Sequence, residues 1–184
     1  MSLRMIRSAA RVGLMDEPHE ARLLVLLLAA EKKSEKPVDG LTKLAKLDFL
    51  LRYPNCLERA LTAAKANPSR ANVQPFERGN VETKMIRFRY GPWDHRYRRW
   101  ISLLGARGLV QVAVEGRTVR VRLTEPGRRV ATEISALEDF GDLAERSRVV
   151  AQVFGDMAGT RLKDFIYDQF PELTDMRWGE EISL

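Results

Sequence analysis

The stretch LVQVAVEGRTVRVRLTEPG, residues 109–127, decides the fold. Two runs alternate valine with other residues on either side of Glu115-Gly116, and alternation with period two is the mark of a half-buried strand. A glycine in a two-residue connection joins such runs as a hairpin. With Glu115 and Gly116 as the loop, Val112 faces Val119 and Val110 faces Val121 on the inner side, while Gln111 and Ala113 lie opposite Arg120 and Thr118 outside. A helix follows at once, with Thr124 as N-cap and Glu125 and Pro126 in its first turn.

Upstream, the chain reads as helical. His19 to about Lys33 has one continuous apolar run, LLVLLLAA, that is too short to span a bilayer and is flanked by charge, so a buried helix is expected. After a break at Ser34 to Gly40, Leu41, Leu44, Leu47 and Leu51 recur at helical spacing, with Lys43, Lys46 and Arg52 among the intervening positions and Lys43 and Lys46 read as helix-surface charges, until Pro54 ends the helix. A third helix, NCLERALTAAK, takes Asn55 as N-cap. Residues 66–83 hold two prolines, three asparagines and a glycine without any period, which predicts a long loop ordered by a partner. MIRFRY predicts a short strand. Gly91-Pro92 with Asp94 predicts the start of a helix that puts Tyr97, Trp100, Ile101, Leu104 and Leu109 toward the core. Beyond the hairpin, three more helices are expected, ending at Pro171. The last residues, PELTDMRWGEEISL, are too irregular for a helix and carry Leu173, Met176, Trp178, Ile182 and Leu184, which need a surface to lie on.

Three helices, a fourth ending in Gly-Leu-Val, a basic hairpin and a capped helix follow the order of a winged helix-turn-helix, whose hairpin is the wing. The expected fold is therefore mainly α with a small β-hairpin wing, in which a winged helix-turn-helix core is followed by a C-terminal helical extension. The division is an N-terminal arm at 1–18, a winged-helix domain at 19–134 with the long loop at 66–83, and the extension and tail at 135–184.

Charge is segregated. Residues 84–129 hold twelve Lys or Arg against Asp94, Glu115 and Glu125, whereas residues 130–184 hold five basic against twelve acidic residues. A basic block of this kind points to an anionic partner. Arg96, Arg98, Arg99, Arg117, Arg120 and Arg122 are the candidates for contact with DNA or an acidic protein surface, by phosphate neutralisation and counterion release. The competing reading of any one of them is ordinary decoration of a solvated helix or strand. In the acidic tail, Phe165, Tyr167, Phe170 and Trp178 are apolar anchors rimmed by carboxylates, the anatomy of a protein interface; for Phe165 and Phe170, packing on the chain's own helices is the alternative.

Enzyme chemistry finds no motif. GDMAGTR lacks the lysine and preceding strand of a phosphate-binding loop, His19 and His95 with the single Cys56 make neither a zinc site nor a Cys/His pair, and Cys56 reads as a small apolar helix residue. No enzyme, metal or cofactor is expected. The opening MSLRMIRSAARVGL has three arginines but no apolar run or cleavage site after them, which predicts a cytoplasmic chain.

GLTKLAKLDFLLRYPNCLERAL, RFRYGPWDHRYRRWISLLGARGLVQV, LTEPGRRVATEI and LKDFIYDQFPEL with RWGEEI together resemble the middle components of bacterial ABC-three-component defence systems, the group that includes the Lamassu anti-phage systems. The resemblance spans residues 19 to 182. It implies a non-catalytic adaptor that joins an SMC-like ATPase subunit to an effector subunit such as a nuclease, with double-stranded DNA as a further partner and no membrane. The alternative is a dimeric winged-helix transcriptional regulator whose final helices form the dimer interface.

Overall fold

The structure, a computed structural model, describes residues 16–34, 37–77, 84–116 and 118–184. Its elements are α1 (Glu17–Ser34), β1 (Val38–Asp39), α2 (Leu41–Arg52), α3 (Pro54–Ala63), β2 (Ile86–Phe88), β3 (Gly91–Trp93), α4 (Tyr97–Ala106), β4 (Val110–Glu115), β5 (Thr118–Leu123), α5 (Glu125–Ala136), α6 (Gly141–Phe154), α7 (Gly159–Gln169) and a single turn, α8 (Glu172–Asp175). Mostly helical, it carries one small antiparallel sheet and one short hairpin.

Leu23 to Ala30 are all buried, so α1 is apolar on every side and lies inside the molecule, against α6 and α5. α2 is buried nearly as completely, from Leu44 to Arg52. Three antiparallel strands, in the order β1-β5-β4, close one end. Thr124 anchors the helix behind them. Its hydroxyl donates to the Gly108 carbonyl at 2.6 Å and accepts from the Gly127 N–H at 3.0 Å. Gly127 is required there, because a Cβ would stand 1.9 Å from the Leu109 carbonyl oxygen. The N-cap read from LTEPG is therefore the joint that holds the hairpin to α5.

The hairpin slides relative to its expected register. Val112 pairs with Val121, Val114 with Val119 and Glu115 with Thr118. Glu115, expected in the loop, is thus paired with Thr118. The faces are unchanged, since moving each strand by one position in opposite senses leaves valine opposite valine.

Gly91-Pro92 does not open a helix. It forms β3, paired with β2 through Phe88 and Gly91 and through Ile86 and Trp93. Proline suits an edge strand as well as a first helical turn, and Gly91 supplies a φ of +114° at the turn. α4 starts only at Tyr97. Asn55 is not an N-cap either: Tyr53 holds that place and Pro54 is the first helical residue.

Residues 66–77 are ordered from within. Arg146 of α6, itself buried, donates to the Ala71 and Asn72 carbonyls, both at 2.7 Å, and pairs with Glu77 at 2.6 Å. The remainder of the expected loop, 78–83, and most of the expected arm, 1–15, lie outside the described residues.

The C-terminal segment adds to the small hairpin. Gly179 N–H donates to the Arg87 carbonyl, Arg87 N–H to Glu180 and Ile182 N–H to Met85, each at 2.8 Å. Val149, Val150, Phe154, Leu162, Ile166, Phe170, Leu173 and Ile182 share one hydrophobic core with α1 and α2. The 134/135 boundary thus runs through a single core, and residues 135–184 are part of that core instead of an appendage to it.

Candidate functional site

α4 is set in place by a buried knot of charge. Asp94, just before it, accepts from the Arg96 backbone N–H and Nε at 3.0 Å each, from Arg96 Nη2 at 2.9 Å and from Arg52 Nη1 at 3.1 Å. Burial raises the Asp94 pKa, but the hydrogen bonds from Arg96 and the charge of Arg52 outweigh it and hold the carboxyl well below the usual range. Asp48, fully buried on α2, accepts from Arg22 at 2.5 and 3.1 Å and from the Tyr97 hydroxyl at 2.5 Å. His19 stacks on Trp100 with ring centroids 4.5 Å apart, and Arg22 donates to its Nδ1 at 2.9 Å. An arginine can only donate, so the imidazole is neutral with its proton on Nε2. Burial, helped by Arg22 and Arg96, lowers its pKa to about 4.

The six candidate arginines divide. Arg96 is consumed by Asp94 and lies 4.9 Å over the Trp100 ring. Arg99 pairs with Asp16 at 2.7 Å, and Trp100 Nε1 donates to the same carboxylate at 2.9 Å. Arg120 pairs with Asp39 at 2.8 Å and with Glu115. Arg98, on α4, and Arg122, on β5, are exposed and have no ion-pair partner among the described residues. Arg117 lies outside them. The neutralising acids come from residues 16–39 and from the basic stretch itself, and none from the acidic C-terminal third. Of the described five, two are available to an anionic ligand.

The aromatic candidates divide as well. Phe170 is fully buried, edge-on to Phe49 at 5.6 Å with the Arg59 guanidinium 4.8 Å over its ring; it belongs to the core and faces no partner. Phe165 is half-buried against Phe154 at 5.4 Å. Tyr167 is half-buried with Arg87 over its ring at 5.8 Å. Trp178 is 66% exposed.

Trp178 does not stand alone. Phe88 lies 6.5 Å from it, and Arg87 sits 5.9 Å over the Trp178 ring. Arg89 and Tyr90 are the two turn residues of the β2–β3 hairpin, with the Arg89 guanidinium 5.4 Å over the Tyr90 ring. Phe88, Tyr90 and Trp178 are three of the few large apolar side chains exposed in the described structure. This Arg-aromatic patch has the residue types that dominate protein-binding hot spots, and only its Trp178 is among the residues expected from sequence. A signal was present: Arg and Tyr occupy turn positions where Asn, Asp or Gly are preferred.

Lys46 is buried, contrary to its reading as a surface charge; its amine donates to the Thr42 carbonyl at 2.9 Å, and burial pushes its pKa down to about 8. Lys43 is tied to the Gly155 carbonyl at 2.7 Å. Burial pushes the Cys56 thiol up to about 12, the behaviour of a small packing residue. Among the described residues no helix is long and apolar enough to cross a membrane.

Comparison with protein-family models, with curated proteins and with solved structures finds no match.

Proposed function

We propose that this chain is a non-catalytic adaptor built on a winged-helix frame. The observation that carries the frame is the strand order β1-β5-β4. A short strand between the first two helices pairs with the second strand of the hairpin, so α1, β1, α2, α4, β4 and β5 follow winged-helix order, with α3 and the β2–β3 hairpin inserted before the helix that such folds present to a groove. β4 and β5 are the wing.

The distribution of free side chains favours an adaptor over a sequence-reading regulator. Arg96 is spent inside the fold and Arg99 on Asp16, which leaves Arg98 as the available arginine among the three α4 candidates, with Arg122 on the wing. Two phosphate contacts supply little of the affinity that six would. The Phe88, Tyr90 and Trp178 patch instead offers apolar anchors flanked by arginines. The resemblance of the quoted segments to middle components of ABC-three-component systems supports the assembly: an SMC-like ATPase bridged to an effector such as a nuclease in anti-phage defence, with Arg98 and Arg122 as the contacts to DNA.

The test is co-purification of the tagged chain with the products of its neighbouring genes. A coiled-coil ATPase should be retained, and Phe88→Asp with Trp178→Asp should release it while leaving the chain folded. A chain that retains no ATPase and instead protects a palindromic operator overturns the reading.

A further inference from the structure

We infer that the outer edge of β4 pairs with the same edge of a second copy of this chain, to give one continuous six-stranded antiparallel sheet. β4 is the edge strand of its sheet. Because Glu115 and Thr118 flank a two-residue loop, Glu115, Ala113 and Gln111 bond inward to β5, and the N–H and C=O groups of Val112 and Val114 point outward. The same parity holds on β5, where the outward Val119 carbonyl accepts from Gly40 N–H at 2.9 Å. On β4 those outward groups meet no partner among the described residues.

The edge also carries little that discourages pairing. It has no proline and no lysine, and its one charged residue, Glu115, sits at its end. The hairpin runs out past the core that covers its root: Val110 is buried, Val112 is 42% exposed and Val114 is 69% exposed. Exposed valines on an open, unbulged edge are an aggregation hazard unless something covers them.

The sequence of the edge is complementary to itself. In an antiparallel pair centred on Ala113, Val112 of one copy stands opposite Val114 of the other, so outward backbone groups meet outward backbone groups. Gln111 stands opposite Glu115, an amide donor against a carboxylate. Ala113 meets Ala113 at the close, non-hydrogen-bonded position, where a small side chain fits. The four valines then form one apolar strip. One strand from each copy makes a small contact, below roughly 1,200 Å² in total, the size class of weak and transient complexes.

This inference is independent of the ATPase, and the chain alone tests it. Sedimentation of the full chain between roughly 1 and 200 µM should show a monomer passing to a dimer. Val114→Lys, at an exposed position, should keep the melting temperature and weaken the dimer by about tenfold or more, because it sets a charge in the apolar strip. Ala113→Cys should cross-link on mild oxidation, since Cα atoms at that site stand about 4.5 Å apart. Gln111→Cys should not, because its copies lie about 13 Å apart; the native Cys56 is buried and takes no part. A chain that stays monomeric throughout, a dimer indifferent to Val114→Lys, or equal cross-linking at 111 and 113 would each overturn the proposal. The first of these would leave the edge to a strand from another protein.

Discussion

Arg52, in the knot between α1, α2 and α4, and Arg122, on the wing, carry the same charge in opposite circumstances. Arg52 lies inside the fold, opposite Asp94 and near Asp48. Arg122 is exposed. In this knot the carboxylates of Asp48 and Asp94 are answered by arginines, and removing one side weakens the hold on the other in a poor solvent for ions. On the wing, solvent screens the charge, so its loss costs the fold little and its presence is available to a ligand. A basic sequence block therefore mixes arginines that build the molecule with arginines that can serve a partner, and burial separates them.

The largest expected effect lies in the knot. Asp48→Ala takes the carboxylate away from Arg22 and from the Tyr97 hydroxyl, leaves Arg52 with Asp94 as its acidic partner, and should cost about 3–5 kcal/mol, read as a fall in the urea midpoint; a loss under 1 kcal/mol would place the knot's charges in water. Next comes the tail. Ile182→Ala should cost about 2–5 kcal/mol, because Ile182 is fully buried in the shared core. A change confined to partner binding would instead make residues 171–184 a detachable arm.

Acid should then separate the two regions by pH. The unfolded chain protonates His19 near 6.5, whereas the fold resists until about 4, so the unfolded state binds more protons between these values. Stability should fall by up to about 3 kcal/mol as pH drops from 6.5 to 4, and His19→Gln should flatten that slope. The smallest effect on the fold belongs to the wing and the outer face of α4. Arg98→Glu with Arg122→Glu should change stability by under about 0.5 kcal/mol. In the assembled complex the same pair should weaken DNA association and reduce its salt dependence; a melting shift of several degrees would mean that these arginines are structural after all.

Much of the frame was legible because it rests on short-range rules. The leucines of α2, the alternation of β4 and β5 and the cap at Thr124 each declare themselves within a few residues. The hairpin's slide did not, since a pattern of period two is unchanged when each strand moves by one position and only the turn decides. Lys46 read as a surface charge although it is buried, and the partners of Asp48 and Arg146 include Tyr97 and Glu77, 49 and 69 positions away, which no local pattern shows. A clue was available in LAKLDFLLRY, where apolar residues crowd every side of the helix and leave no outer face for the charges. The arginine cluster was legible as a cluster, but its partition was not: Asp16 and Asp39 reach Arg99 and Arg120 from more than 80 positions away. Trp178 stood out by its setting, while Phe88 and Tyr90 were hidden in a stretch read as a strand leading to a helix.

The Tyr53 hydroxyl accepts from the Met85 N–H at 2.8 Å and donates to the Ile182 carbonyl at 3.1 Å. One oxygen thus stands between the strand and the terminus, and the Met85 amide can act as a clock for their separation. In deuterated water its exchange should keep time with every detachment of the last residues, and Tyr53→Phe should make that clock run fast without disturbing the leucines beneath it.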